Sequence, residues 1–149
     1  MAPLPLNYRI EGDGPPLLLV HGWGVSFTIW RDLAPLLKPY YTLIIPELPG
    51  IGASPLPAGG NYYEACAASL EELRRALDIP RWSILGYSLG GWAVRAYVRR
   101  FPQAVERCIF LCIPRPLPPA GRLAERIGRA SRGGCTAAPP PRNVVTPGE

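Results

Sequence analysis

The sequence predicts an α/β fold built on a parallel sheet. Three observations predict it. Four short apolar runs, at residues 17–20, 41–45, 82–85 and 108–113, are each too short for a helix and are bounded by turn residues. Amphipathic stretches with apolar residues three and four apart lie between them. The crossovers between successive strands are long enough to hold helices, which implies parallel pairing with right-handed connections. Strands buried under helices on both faces read as unbroken apolar runs, as these do.

In chain order, residues 1–16 are rich in proline and glycine, with a short strand expected at 8–11 and a turn at Gly12-Asp13-Gly14-Pro15-Pro16. Leu17-Leu18-Leu19-Val20 is the first buried strand, and His21-Gly22-Trp23-Gly24 follows it directly. Phe27, Trp30, Leu33 and Leu37 fall at helical spacing and predict a helix over 27–37. The second strand, 41–45, runs into a loop of strong turn chemistry, Pro46-Glu47-Leu48-Pro49-Gly50-Ile51-Gly52-Ala53-Ser54. Tyr63, Cys66, Leu70, Leu73 and Leu77 mark a packed helix over 61–77, whose solvated side would carry Glu71, Glu72, Arg74 and Arg75. After the third strand, 82–85, a helix is expected over 89–101, with Arg95, Arg99 and Arg100 toward water and Pro102 as its stop. Val105 and then Cys108-Ile109-Phe110-Leu111-Cys112-Ile113 predict a fourth buried strand.

Length and composition bound the function. At 149 residues the chain holds one domain at most, and 48% hydrophobic residues suit a globular protein. No apolar run approaches a membrane span, and the first residues lack a basic start, so no membrane partner and a cytoplasmic location are expected. The net charge of +5 is local: residues 115–149 hold six arginines and two glutamates, and the first 114 residues are near neutral. Charge therefore makes no case for nucleic acid. Cys66, Cys108, Cys112 and Cys135 have no C-x-x-C spacing and there is one histidine, His21, so neither a metal nor another cofactor is expected. The first three cysteines read as small buried apolar side chains. The composition changes at Pro114: residues 115–149 contain seven prolines, five glycines and no aromatic residue. The chain is accordingly divided into a folded part, 1–114, and a tail, 115–149, expected to be disordered.

The chemistry centres on Gly86-Tyr87-Ser88-Leu89-Gly90-Gly91, between a strand and a helix. A serine flanked at two residues' distance by glycines, on a sharp strand-to-helix turn, is the nucleophile-elbow pattern. The strained turn lifts the hydroxyl clear of the sheet. Gly86 and Gly90 are expected to pack against each other across it, where only very small side chains fit. Leu89 would supply a backbone N–H at a helix N-terminus, where partial positive charge favours an oxyanion. The topology brings residues 21–24, 47–54 and 86–91 together beyond the carboxyl ends of the strands.

On these three motifs, the stretch from about residue 6 to 114 resembles the α/β-hydrolase superfamily. Residues 17–24 look like its oxyanion strand and H-G-x-x loop. Residues 47–54 look like its D-x-P-G-x-G-x-S loop, with Glu47 in place of aspartate, and residues 86–91 look like its elbow. The surroundings of Trp23 and Tyr87-Ser88-Leu89 are similar to carboxylesterases of the pimeloyl-carrier-protein methyl ester esterase type. The resemblance implies that Ser88 is the nucleophile and that the N–H groups of Trp23 and Leu89 form the oxyanion hole. His21, Gly22, Gly86 and Gly90 would support the motifs, with His21 holding its loop and not acting as catalytic base. Glu47 would organise its glycine loop. The substrate would be a small molecule with an ester or similar acyl bond. Trp23, Phe27 and Tyr87 hint at an apolar acyl pocket, although core packing explains them as well.

The chain also departs from the family. The expected order is Ser, then Asp or Glu, then His, and no histidine follows Ser88. A serine without its general base is a poor nucleophile at neutral pH. The expectation is thus a hydrolase fold truncated after the strand that follows the nucleophile helix, inactive or weakly active, as from a truncated or frameshifted gene. Alternatives are a non-catalytic binding protein on the same scaffold, or assembly with a second polypeptide that supplies acid and base. Strand 108–113 would then be an apolar edge open to self-association.

Overall fold

The computed structural model describes residues 5–113, so the expected disordered tail lies outside the described residues. Among the described residues five strands form one sheet: β1 (Tyr8–Glu11), β2 (Pro16–Val20), β3 (Thr42–Pro46), β4 (Trp82–Tyr87) and β5 (Val105–Leu111). Their order is β1-β3-β2-β4-β5. β1 runs antiparallel to β3, and all other pairs are parallel. The helices are α1 (Ala34–Leu37), α2 (Tyr62–Ala76) and α3 (Gly90–Arg100).

Both faces of the central strands are covered, which is why their sequences are apolar without alternation. Leu18, Val20, Ile44 and Ile84 meet Cys66, Leu70, Val94 and Tyr97 of α2 and α3. Leu17, Leu19, Leu43 and Ile45 point the other way, to Trp30 and Ala34. Asn61 caps α2, its side chain accepting from the N–H groups of Tyr63 and Glu64.

Four expectations change. The helix over 27–37 is broken into a 3-10 turn, Phe27–Trp30, and the short α1. Pro35 explains the break: it lacks an N–H, and in a continuous helix its ring would strike the carbonyl of Arg31. β5 is a strand but not a buried one, with Ile109, Phe110 and Leu111 between 43% and 52% exposed. Among the described residues it pairs only with β4, and an apolar run is buried only where something covers it. Of the cysteines, Cys66 is buried, but Cys108 is half-buried and Cys112 is exposed; all three are free thiols.

The fourth change concerns α2. Glu71, expected in water, is buried. Oε1 accepts from Arg74 and Arg75, and Oε2 accepts from Arg74 and from the Tyr97 hydroxyl at 2.8 Å. Burial alone would push its carboxyl up, but these hydrogen bonds outweigh burial and hold it down at about 2. The carboxylate thereby ties α2 to α3.

Candidate active site

β4 ends at Tyr87 and α3 begins at Gly90, so Ser88 and Leu89 alone make the turn. Ser88 has φ +51°, a left-handed conformation that an L side chain raises in energy. Hydrogen bonds hold it there. Its N–H donates to the Leu111 carbonyl at 2.9 Å, and its own carbonyl accepts from Gly91 N–H at 3.0 Å. Ser88 is half-buried. Its Oγ has no hydrogen-bond partner among the described residues.

The glycines let the surrounding backbones close in. A Cβ on Gly22 would lie 3.0 Å from Ser88 Cβ, so the 21–24 loop passes directly over the serine. Gly86 and Gly90 do not chiefly pack on each other. The nearest neighbours of a Cβ on Gly86 would be Val94 Cγ2 at 2.9 Å and Gly91 Cα at 3.0 Å, whereas one on Gly90 would collide with the His21 carbonyl oxygen. Gly90 thus packs the start of α3 against the end of β2.

His21 is fully buried. Its Nε2 accepts from Leu48 N–H at 2.9 Å, which leaves the proton on Nδ1 to be donated to the Gly22 carbonyl at 2.8 Å. Burial lowers its pKa, against opposing effects of the Gly22 hydrogen bond and the Glu47 charge. A neutral imidazole with both nitrogens bonded to backbone joins the 21–24 loop to the 47–54 loop. Glu47 is buried as well. Its Oε2 accepts from Asn7 Nδ2 at 2.8 Å and Ala53 N–H at 2.9 Å, and Gly52 leaves room for the carboxylate. Ser54 Oγ donates to the Glu47 carbonyl and accepts from Asn7 N–H, closing the loop on itself.

These loops border a cleft of about 390 Å³. Gly22, Trp23, Leu89 and Gly90 line one side, and Leu48, Ile51, Leu56, Tyr62 and Tyr63 line the rest. The Trp23 ring stands at the mouth, 70% exposed and edge-on to Tyr62 at 6.4 Å. The backbone N–H groups of Trp23 and Leu89 have no acceptor among the described residues. Tyr62 donates its hydroxyl to the Pro49 carbonyl, and burial pushes that phenol up.

Of the aromatic residues expected at a pocket, only Trp23 is there. Phe27 lies beneath the Arg9 guanidinium, 3.9 Å from its ring centre, and Tyr87 packs edge-on to Trp30 in the second core. Sequence reasoning missed Ile51, Leu56, Tyr62 and Tyr63 as lining residues. The available signal was the position of both tyrosines immediately after the α2 cap. Among the described residues no cluster of His, Cys, Asp and Glu could hold a metal.

The chain is similar to known proteins. Pimeloyl-[acyl-carrier protein] methyl ester esterase of Aeromonas salmonicida is 41% identical over 99 residues, covering 66% of this chain and 37% of that protein. A soluble epoxide hydrolase of a Corynebacterium species is 32% identical over 106 residues, covering 71% and 37%. The solved structure of a thermophilic esterase from Thermogutta terrifontis superposes with a TM-score of 0.73 at 29% identity, covering 88% of this chain and 50% of that one. The chain spans about a third of the length of the curated relatives it matches. A family model described as the alpha/beta hydrolase fold matches residues 15–133, and with the elbow, the glycine contacts and the sheet order above, the chain belongs to the α/β-hydrolase family.

Proposed function

We propose that this chain carries the nucleophile and oxyanion side of a serine hydrolase that cleaves an ester or related acyl bond of a small molecule. Ser88 Oγ attacks the carbonyl carbon. The carbonyl oxygen, becoming an oxyanion, receives hydrogen bonds from the N–H groups of Trp23 and Leu89. Collapse of the tetrahedral intermediate expels the alcohol and leaves an acyl-serine, which water then hydrolyses. The carrying observation is the strained, hydrogen-bonded turn at Ser88, whose neighbour Leu89 lines the cleft together with Gly22, Trp23 and Gly90, while the N–H groups of Trp23 and Leu89 have no acceptor among the described residues. Three free thiols among the described residues fit a reducing compartment such as the cytoplasm.

The proton from Ser88 needs an acceptor. His21, the chain's one histidine, has both ring nitrogens committed to backbone. We therefore propose that the 149-residue chain is weakly active by itself. Turnover of an activated ester is expected at no more than about 10³–10⁴ over water. The unpartnered Ser88 hydroxyl also favours a second reading, a binding protein that uses the cleft without chemistry. A fluorophosphonate separates the two. Slow labelling confined to Ser88 and abolished in Ser88→Ala supports the hydrolase. Labelling that survives Ser88→Ala overturns it, and complete inertness of the wild type leaves the binding reading.

A further inference from the structure

We infer that Ile113 is a positioning residue for Ser88: it packs on the first turn of α3, holds that turn against the end of β4, and so fixes where the serine hydroxyl stands. The inference rests on the reading of Ser88 as the reacting group, because only then does the pose of the turn set a rate.

A left-handed residue with a side chain persists only where its surroundings dictate the conformation. Both backbone polar groups of Ser88 lead to the stretch of chain that closes β5. Its N–H donates to the Leu111 carbonyl, and its own carbonyl accepts from Gly91 N–H. Gly91 is in turn enclosed from two sides. Its Cα lies 3.0 Å from where a Cβ on Gly86 would stand, so it abuts the end of β4. Opposite, a Cβ on Gly91 would collide with Ile113 Cδ1, and Ile113 supplies all three of the atoms nearest to it. Leu111 and Ile113 thus grip the serine turn together, one through its carbonyl and the other through its side chain. Between them Cys112 is itself left-handed, with φ +52°. An exposed thiol does not require that conformation, and a Cβ raises its energy. The contact that follows offsets it: the bend at Cys112 ends the strand at Leu111 and returns Ile113 onto Gly91.

The contact can be broken from either side and rebuilt, which separates positioning from stability. Gly91 does not have a positive φ, so a methyl there is opposed by Ile113 and not by the backbone. With Ile113→Ala, the same methyl lies 3.6 Å from the Cβ of residue 113, an ordinary contact. Fluorophosphonate labelling of the full chain is resolved into a maximal rate and a half-saturating concentration. Ile113→Ala and Gly91→Ala should each lower the maximal rate about tenfold and leave the half-saturating concentration unchanged, because a slight misplacement of the reacting atom costs on that order. The double variant should recover to within about threefold of wild type, since the effects of two residues in contact do not add. Leu73→Ala, in the core of α2, should lower the urea midpoint without slowing labelling. Ile113→Ala labelling at the wild-type rate overturns the inference, and so does a double variant slower than either single one. Amide hydrogen exchange gives an answer that does not need a nucleophile. Ile113→Ala should speed exchange of the Ser88 N–H about tenfold relative to that of Leu70, and adding Gly91→Ala should slow it again. If exchange follows that pattern while labelling is absent or survives Ser88→Ala, the nucleophile reading is lost and the hold of Ile113 on the turn stands. Unchanged exchange at Ser88 overturns the hold itself.

Discussion

Ser88 stands where a side chain is unfavourable, and the cost is measurable. A left-handed residue with a Cβ is raised by roughly 1–2 kcal/mol, partly offset for glycine by the greater freedom of its unfolded chain. Ser88→Gly should therefore be more stable than Ser88→Ala by about 1 kcal/mol in urea unfolding; equal stability would mean that the turn relaxes. Gly90→Ala should be the more damaging change. Its methyl would meet the His21 carbonyl backbone, which cannot swing aside, so a loss of about 1–3 kcal/mol is expected by thermal or chemical unfolding. At this scale the need for small residues at 86 and 90 was readable in the sequence, but their partners, Val94 and Gly91 for one and the His21 backbone for the other, were not. The partners of His21 were not readable. Its Nε2 meets an N–H 27 residues further on, a contact that only the folded arrangement of two loops creates.

Helix α2 illustrates where periodicity stops. Apolar spacing located the helix and its packed side, but it assigned Glu71 to water. The deciding partner is Tyr97 on α3, 26 residues away, together with Arg74, which also reaches the carbonyls of Ile79 and Pro80 at the turn into β4. A buried carboxylate held at about 2 against an ordinary 4.5 contributes stability that is complete above pH 4.5 and is lost as the pH falls toward 2. The amount is on the order of 3 kcal/mol. Glu71→Gln should remove that acid step and lower stability at neutral pH, as read from urea midpoints at pH 3 and 7. His21 works in a separate window. Its folded pKa lies below the ordinary 6.5, so stability is full above pH 6.5 and declines as the pH drops beneath it. Glu71→Gln should leave that upper step intact; if it erases both, the two groups are not independent.

Strands β2 to β5 followed from the apolar runs and their parallel pairing from the crossovers, whereas the antiparallel pairing of β1 with β3 did not. Burial of β5 did not follow, because an apolar run records what a strand can bury and not what lies over it. Register places Ile109 beside Leu85 and Leu111 beside Tyr87 on one face, with Phe110 beside Gly86 on the other, so the exposed surface is apolar on both faces. We propose that the free chain associates through this edge. Sedimentation should show size increasing with concentration, and Phe110→Lys should shift the distribution toward monomer at little cost in stability. A wild type that sediments as a monomer at every concentration would refute this.

The strand order also has a consequence in time. From β2 onward the sheet extends away from β1, with β4 added to β2 and β5 to β4. The chain leaves the ribosome in that same sequence. Roughly sixty residues separate β2 from β4, about 3–12 s of synthesis at ~5–20 residues per second. Throughout that interval the margin of β2 that β4 later covers, on one of the most apolar strands, has no partner in its own chain. Translation speed between residues 21 and 81 therefore sets how long β2 waits for the neighbour that seals it.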